Sequence, residues 1–379
     1  MTFEEVEPKQ KKISQPLSPF SSLPDEITEN ILARVSRWNY PSLSLVSKRF
    51  RSLLSSMEIY KTRSQIGTRE TSVYVCLHLP NQPYPNWYSV WSKPNQTLTK
   101  HRGKIRFKKD PTGNSVVPTH INYPHIKSQS PTATVGPDIY IIGGPWEEPS
   151  SSVWILDCRS HTWRHGPNMT VAREDPCMFV VRLTSLDGFV VFDTKTQSWT
   201  VLPGPGAELR LLLKENSYVL VNVTDEKFFV MIKKREYTYD GTWKLLGEQS
   251  NSIGNYVVDS SWINNVIYCC TLCGDLFWCD SEDHEGREWR EIKGLRGLRD
   301  DCKMGLRSAS AYAVEDYGGK LMVMWGSSNI KLKNKIRYAK ISLERSSDGH
   351  EIWGKIECVD ELTFPCESYK SFYCLSALV

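Results

Sequence analysis

The sequence predicts an α + β chain of two unlike parts, a small three-helix unit in front and a large all-β array behind it. Between Ser22 and Lys61, apolar residues fall at helical spacing: Ile27, Ile31 and Val35 at i, i+4 and i+8, with Leu32 beside them. From Val73 to Val379, short β-rich runs alternate with Gly, Pro, Asn and Asp, and no helical period of useful length returns. Tryptophan recurs in one strand context through that second part, which makes it a repeat.

Residues 1–17 are polar and proline-bearing, with Lys9, Lys11 and Lys12 clustered. They read as a disordered tail, with a nuclear-targeting role for the lysines as the alternative. Ser22 is placed to cap the first helix, with Asp25 three residues on and Pro24 in the first turn. Trp38-Asn39-Tyr40-Pro41 ends that helix, since a residue before proline avoids the α region. Leu43, Val46, Phe50 and Leu53 then make a second helical stripe, widened by Leu45 and Leu54. So small a unit cannot bury all these apolar residues alone, and a partner protein is the natural cover. Lys61 to Thr71 reads as a polar connector.

Leu23-Pro24-Asp25-Glu26, the Ile31-Leu32 pair and the run Leu45-Val46-Ser47-Lys48-Arg49-Phe50-Arg51-Ser52-Leu53-Leu54 together resemble an F-box, at residues 18–63. The resemblance implies docking on a Skp-type adaptor held on a cullin scaffold in SCF ubiquitin ligases. It points to Leu23, Pro24, Ile27, Ile31, Leu32, Val46 and Phe50 as residues that contact the adaptor or shape that surface. Some of them must belong to the unit's own core, and the sequence does not divide them.

After a linker at 64–72, the array occupies 73–379, and its clearest unit lies at 136–170. There Asp138-Ile139-Tyr140-Ile141-Ile142 leads into Gly143-Gly144. The strand Val153-Trp154-Ile155-Leu156-Asp157, a turn and Trp163 follow. Tryptophans in the same place are Trp199, Trp243, Trp289 and Trp353, with Trp91 as an earlier member. The intervals of 36, 44, 46 and 64 residues centre near fifty. A diglycine lets the backbone turn where neighbouring sheets crowd, and the aromatic ring fills the space between them. The unit resembles a kelch blade. Resemblance to plant-type F-box/kelch-repeat proteins therefore extends from about residue 20 to the end, and it implies a β-propeller of about six blades. Between Arg173 and Trp199 only three strands fit, so one blade is expected to be incomplete. The run Tyr369–Leu378 is expected to pair with Val73–Leu77 and close the ring.

Bulk properties narrow the function. Lys and Arg total 47 against 43 Asp and Glu, a net charge of +4 that argues for no nucleic-acid partner. No apolar run reaches membrane-spanning length, so no membrane partner is expected. Eleven scattered cysteines without a secretory signal read as reduced thiols of the cytoplasm or nucleus. Cys269, Cys270, Cys273 and Cys279, with His284 nearby, contain one C-x-x-C but no second pair at zinc-ribbon distance, so no metal is expected. His161 and His165 flank Trp163 on one strand parity and could face one ligand, though no third ligand suggests itself. Lys100, Arg102, Lys104, Arg106, Lys108 and Lys109 form a basic run around Phe107 that reads as a solvated loop or edge. Lys331, Lys333, Lys335 and Arg337 alternate as on a protected edge strand. There is no phosphate loop, nucleophile elbow or acid/base pair, so no catalysis and no cofactor are expected.

By resemblance, the chain is expected to be the non-catalytic substrate-recognition subunit of an SCF ubiquitin ligase, its propeller binding a target protein that the sequence does not identify. A non-degradative interaction module is the alternative, and a kelch-type copper oxidase a further one.

Overall fold

The computed structural model describes residues 22–379 apart from 92–114, 120–131, 145–147, 173–176, 180–181, 186–187, 202, 204–205, 216–218, 225–226, 233–234, 249–252, 254–256, 281–287, 299–311 and 327–333. The tail at 1–17, the basic run at 100–109, and Lys331 and Lys333 lie outside the described residues. The chain divides into two compact units, Met1–Arg69 and Glu70–Val379.

In the first unit, α1 (Asp25–Ala33) starts directly after Pro24 and has no side-chain cap. The cap position falls on Pro24 and not on Ser22. Proline takes the cap position itself, and its carbonyl accepts both the Thr28 N–H, at 3.0 Å, and the Thr28 hydroxyl, at 3.1 Å. A 3-10 turn (Arg37–Asn39) and the short α2 (Tyr40–Leu43) follow, with a proline in the first turn of α2. The stripe from Leu43 to Leu53 is broken, not one helix. Ser47 is extended, at φ −158°, and caps α3 (Lys48–Leu54) by accepting the Phe50 N–H at 3.1 Å. Next, α4 (Glu58–Gln65) runs into the first part of the stretch expected to be a connector. Among its described residues the unit therefore has α-helices α1–α4 and the Arg37–Asn39 3-10 turn where three helices were expected. Its core is Leu32, Ala33, Tyr40, Leu54 and Ile59, edged by Leu43, Phe50, Leu53, Tyr60 and Ile66.

Among the described residues the second unit forms six four-stranded antiparallel sheets, the blades of a β-propeller. In chain order the strands are β1 (Thr71–His78), β2 (Asn86–Trp91) and β3 (Ser115–Pro118), then β4 (Thr132–Val135), β5 (Asp138–Ile142), β6 (Val153–Asp157) and β7 (Thr162–His165). The third blade holds β8 (Cys177–Phe179), β9 (Arg182–Ser185), β10 (Gly188–Asp193) and β11 (Ser198–Val201). Helix α5 (Ala207–Glu215) follows, and then β12 (Val219–Thr224), β13 (Lys227–Ile232), β14 (Arg235–Tyr239) and β15 (Trp243–Glu248). The fifth blade is β16 (Val257–Ile263), β17 (Val266–Thr271), β18 (Leu276–Asp280) and β19 (Arg290–Glu291). The sixth is β20 (Tyr312–Asp316), β21 (Leu321–Gly326), β22 (Lys335–Arg345) and β23 (Ile352–Thr363), and β24 (Ser371–Leu378) comes last.

That last strand lies in the first blade, in the order β24-β1-β2-β3, paired from Thr71↔Leu378 to His78↔Ser371. Ring closure thus takes the form expected from the two end segments. The third blade corrects an expectation, because it has four strands. It fits a fourth into the Arg173–Trp199 region by using strands of three and four residues, β8 and β9. Helix α5 corrects another: Leu209 and Leu212, three apart, pack on Val230, Ile232 and Tyr237. β22 is not an edge strand, since β21 and β23 flank it. Lys335 there pairs with Glu361 at 2.5 Å, and Arg337 stacks over the Trp325 ring.

Gly143 has φ +75°, and a Cβ on Gly144 would stand 1.8 Å from the Glu148 carbonyl oxygen, so this diglycine allows no side chain at its second position. The closing tryptophans divide by seam. Trp163 meets Trp87 of the first blade edge-on at 6.1 Å. Trp199 packs with blade-two residues and donates to the Pro167 carbonyl at 2.8 Å, and Trp243 likewise donates to the Pro203 carbonyl at 3.1 Å. Trp289 is buried against Met231 of the fourth blade. Trp353 departs from the expectation and is 52 % exposed. At that seam Lys293 bridges β23 beside it, and Leu295 fills the space over Gly354, leaving the ring no gap to enter.

The β16–β17 hairpin turns on Asn264 and Asn265, with φ of +50° and +62°, the signature of a two-residue type I′ turn. Asn265→Gly removes the left-handed strain at the second position. It is expected to stabilise the propeller by about 0.5 kcal/mol, read as a higher urea midpoint at unchanged m.

Candidate functional site

The surplus apolar surface foreseen on the helical unit is present and localised. Ile27 is 50 % and Ile31 38 % exposed, one turn apart on α1, while Leu45 is 77 % and Val46 65 % exposed between α2 and α3. Side chains of this size and exposure are what a partner's surface would bury, at roughly 1.5–3 kcal/mol each.

Polar contacts fix the backbone beneath them. Arg49, near the start of α3, reaches back to the start of α1. Its Nε donates to Asp25 Oδ1 at 2.7 Å, and its Nη2 donates to Thr28 Oγ1 at 3.1 Å and to the Leu23 carbonyl. The Leu23-Pro24 segment is thereby tied to α3, with Pro24 exposed and Leu23 half-buried. Ser44 Oγ donates to the Pro41 carbonyl at 2.7 Å and braces the segment that leads to Leu45.

A second arginine holds the interior. Arg63 of α4 is 1 % exposed. Its Nη1 donates to the carbonyls of Ala33, at 3.0 Å, and Val35, at 2.8 Å, and to the Tyr40 hydroxyl at 3.1 Å; its Nη2 donates to the Thr68 carbonyl. A guanidinium thus closes the C-terminus of α1, where carbonyls lack helical partners and the helix dipole favours a cation. Burial raises the Tyr40 phenol pKa, and the charge of Arg63 opposes that rise.

Of the seven expected adaptor residues, Pro24, Ile27, Ile31 and Val46 are exposed, and Leu23 is half-buried. Phe50 is half-buried against the unit's core, and Leu32 lies inside it. Leu32 therefore belongs to the unit's own core. Leu45, the most exposed of the group, was passed over because its helical spacing marked it as the flank of a stripe. Arg49 and Arg63 were missed because a lone arginine in a polar run reads as solvated.

Candidate sites in the propeller come apart. His161, at φ +56°, sits in a turn, and its Nε2 shares a 2.9 Å hydrogen bond with the Tyr74 hydroxyl; His165 stacks on Trp154. The two histidines do not face one ligand. Cys269 and Cys279 point into one core and Cys270 into another, while Cys273 is exposed. Among the described residues no three His, Cys, Asp or Glu side chains group as they would around a metal ion, and no helix is long and apolar enough to cross a membrane.

Comparison with known proteins agrees with this architecture. The F-box domain model matches residues 20–62, and the FKB95, Kelch-repeats domain model matches residues 87–363. Among similar curated proteins, one F-box/kelch-repeat protein of Arabidopsis thaliana is 42 % identical over 96 % of this chain and 94 % of its own length. Two others from that plant are 37 % identical, over 94 % of this chain and 92 % of theirs, and 35 % identical, over 98 % and 99 %. With four exposed aliphatic side chains on a four-helix front unit and six blades behind it, this chain is a member of the F-box/kelch-repeat family.

Proposed function

We propose that the chain is the substrate-recognition subunit of an SCF-type ubiquitin ligase. The F-box binds a Skp-type adaptor, and through it a cullin, while the propeller binds the protein to be ubiquitinated, in the cytoplasm, the nucleus or both. The observation that supports this most is the group Ile27, Ile31, Leu45 and Val46, exposed on a unit whose own core is already filled. Such a subunit performs no covalent chemistry. It raises the effective concentration of a target lysine near a conjugating enzyme carried elsewhere in the assembly. The alternative, a non-degradative interaction role, gains nothing from the Arg173–Trp199 region, where β8–β11 form a four-stranded blade.

The test is titration of the full chain with a purified Skp-type adaptor. Ile27→Glu combined with Val46→Asp is expected to weaken binding at least 100-fold, since two lost apolar burials of about 1.5–3 kcal/mol each exceed two decades of affinity. Leu23→Ala with Pro24→Ala is expected to weaken it less. The unfolding transitions should not move, because the substituted residues lie outside the core. Undiminished adaptor binding by the Ile27/Val46 variant would overturn the assignment.

A further inference from the structure

Within the propeller, the innermost strands neighbour one another in the order β16, β20, β24, β4, β8, β12. They belong to different sheets, so no ladder joins them. At two successive seams a carboxylate does so instead. Asp259 on β16 accepts the Val314 N–H of β20 at 2.8 Å through Oδ2, and the Ser260 N–H at 2.9 Å through Oδ1. One residue beyond Val314, Glu315 accepts the Ser376 N–H of β24 at 3.2 Å and the Ser376 hydroxyl at 2.8 Å, both through Oε2. The register of β16 against β17 shifts between Val257 and Asp259. Such a bulge re-aims a side chain, here the one that spans the seam. Asp259 and Glu315 thus connect three blades in a row, and the last of them is the blade that closes the ring.

We propose that Asp259 and Glu315 are a proton-retaining latch that fastens the closing strand β24 to blades five and six, so that ring closure loosens as pH rises through neutrality.

The physical ground is the placement of two half-buried carboxylates in each other's field. Burial pushes the Asp259 carboxyl up to about 7. Burial, and next the charge of Asp259, push Glu315 up to about 8. Asp316 adds to the rise at Glu315; burial raises the thiols of Cys269 on β17 and Cys374 on β24, with the charge of Asp259 adding to both and that of Glu315 to Cys374. Because Oε2 takes both Ser376 donors, Oε1 of Glu315 is left to carry the retained proton. In an unfolded chain both groups would ionise near pH 4. The folded ring therefore binds more protons than the unfolded chain between about pH 4 and 8. Its stability is full below that window and is lost as pH rises through it. Each retained proton changes the folded-to-unfolded ratio by up to about tenfold per pH unit.

The test uses the full chain at pH 6.0 and 8.5, followed by amide hydrogen exchange of the β24 segment and by urea unfolding. Exchange at β24, corrected for the intrinsic pH effect, is expected to be at least tenfold faster at pH 8.5, with the strands of blade two unchanged. Glu315→Gln keeps an acceptor oxygen for Ser376 but cannot ionise. It is expected to abolish most of that difference and to raise the urea midpoint at both pH values, more at pH 8.5 than at pH 6.0. Equal β24 protection at the two pH values in the unaltered chain would overturn the latch, as would a Glu315→Gln chain with the full pH dependence.

Discussion

Truncation after Cys366 is expected to leave the propeller insoluble. The deletion removes β24, and with it eight paired positions along β1. Val73, Tyr74, Val75, Cys76 and Leu77 of β1 are all at most 1 % exposed, and the deletion turns this strand into an open, apolar edge. An unprotected edge of that composition recruits other chains, so the failure should be aggregation and not simple loosening. The core also loses Phe372 and Cys374, which pack with Tyr88, Ile336 and Phe364 across the seam between blades six and one. Burial of the phenylalanine alone is worth about 1.5–3 kcal/mol, a sizeable share of a domain's net stability. Supplying residues 367–379 as a synthetic peptide during refolding should recover soluble, monomeric protein, measured by size-exclusion chromatography. Equal solubility of the truncated and full chains would show that β1 needs no partner.

Arg63→Met is expected to unfold the helical unit while the propeller transition stays in place. The substitution keeps most of the side-chain volume but leaves the carbonyls of Val35 and Thr68 and the Tyr40 hydroxyl without the donor that Arg63 provides. A buried polar group stripped of its partner costs about 1–3 kcal/mol, so the total reaches about 3–5 kcal/mol. A unit of this size has about that much to lose. Arg63→Lys retains the charge but not the planar fork that reaches several acceptors, and should fall between the two. Helical circular dichroism at 25 °C and adaptor binding should disappear together in Arg63→Met. Retained helicity would mean that water can replace the guanidinium.

Those two residues show which parts of the molecule the sequence reveals. The F-box was legible because Leu23-Pro24 and the Ile31-Leu32 pair stand at fixed offsets along one short stretch. The closing strand was legible because a ring of sheets must leave neither end strand bare. Arg63 was not legible, since its value comes from carbonyls some thirty residues away. Trp87, Trp278 and Trp325, each no more than 1 % exposed, were not legible either. They sit in β2, β18 and β21, outside the closing-strand context that makes the repeat visible. The third blade misled because strand count was inferred from length, and β8 shows that three residues suffice for a paired strand. Among the adaptor residues, helical spacing alone could not separate Leu32 from Ile31, which are adjacent in sequence and on opposite sides of the surface.

The split first blade also sets an order of events during synthesis. The carbonyls and hydroxyl that Arg63 donates to, at Ala33, Val35, Tyr40 and Thr68, have all left the ribosome once Thr68 has, so the helical unit can begin to fold then. β1 follows immediately but waits for a strand about three hundred residues downstream. At roughly 5–20 residues per second that wait is about 15–60 s. For that interval the nascent chain exposes Ile27, Ile31, Leu45 and Val46 while the propeller ring is still open.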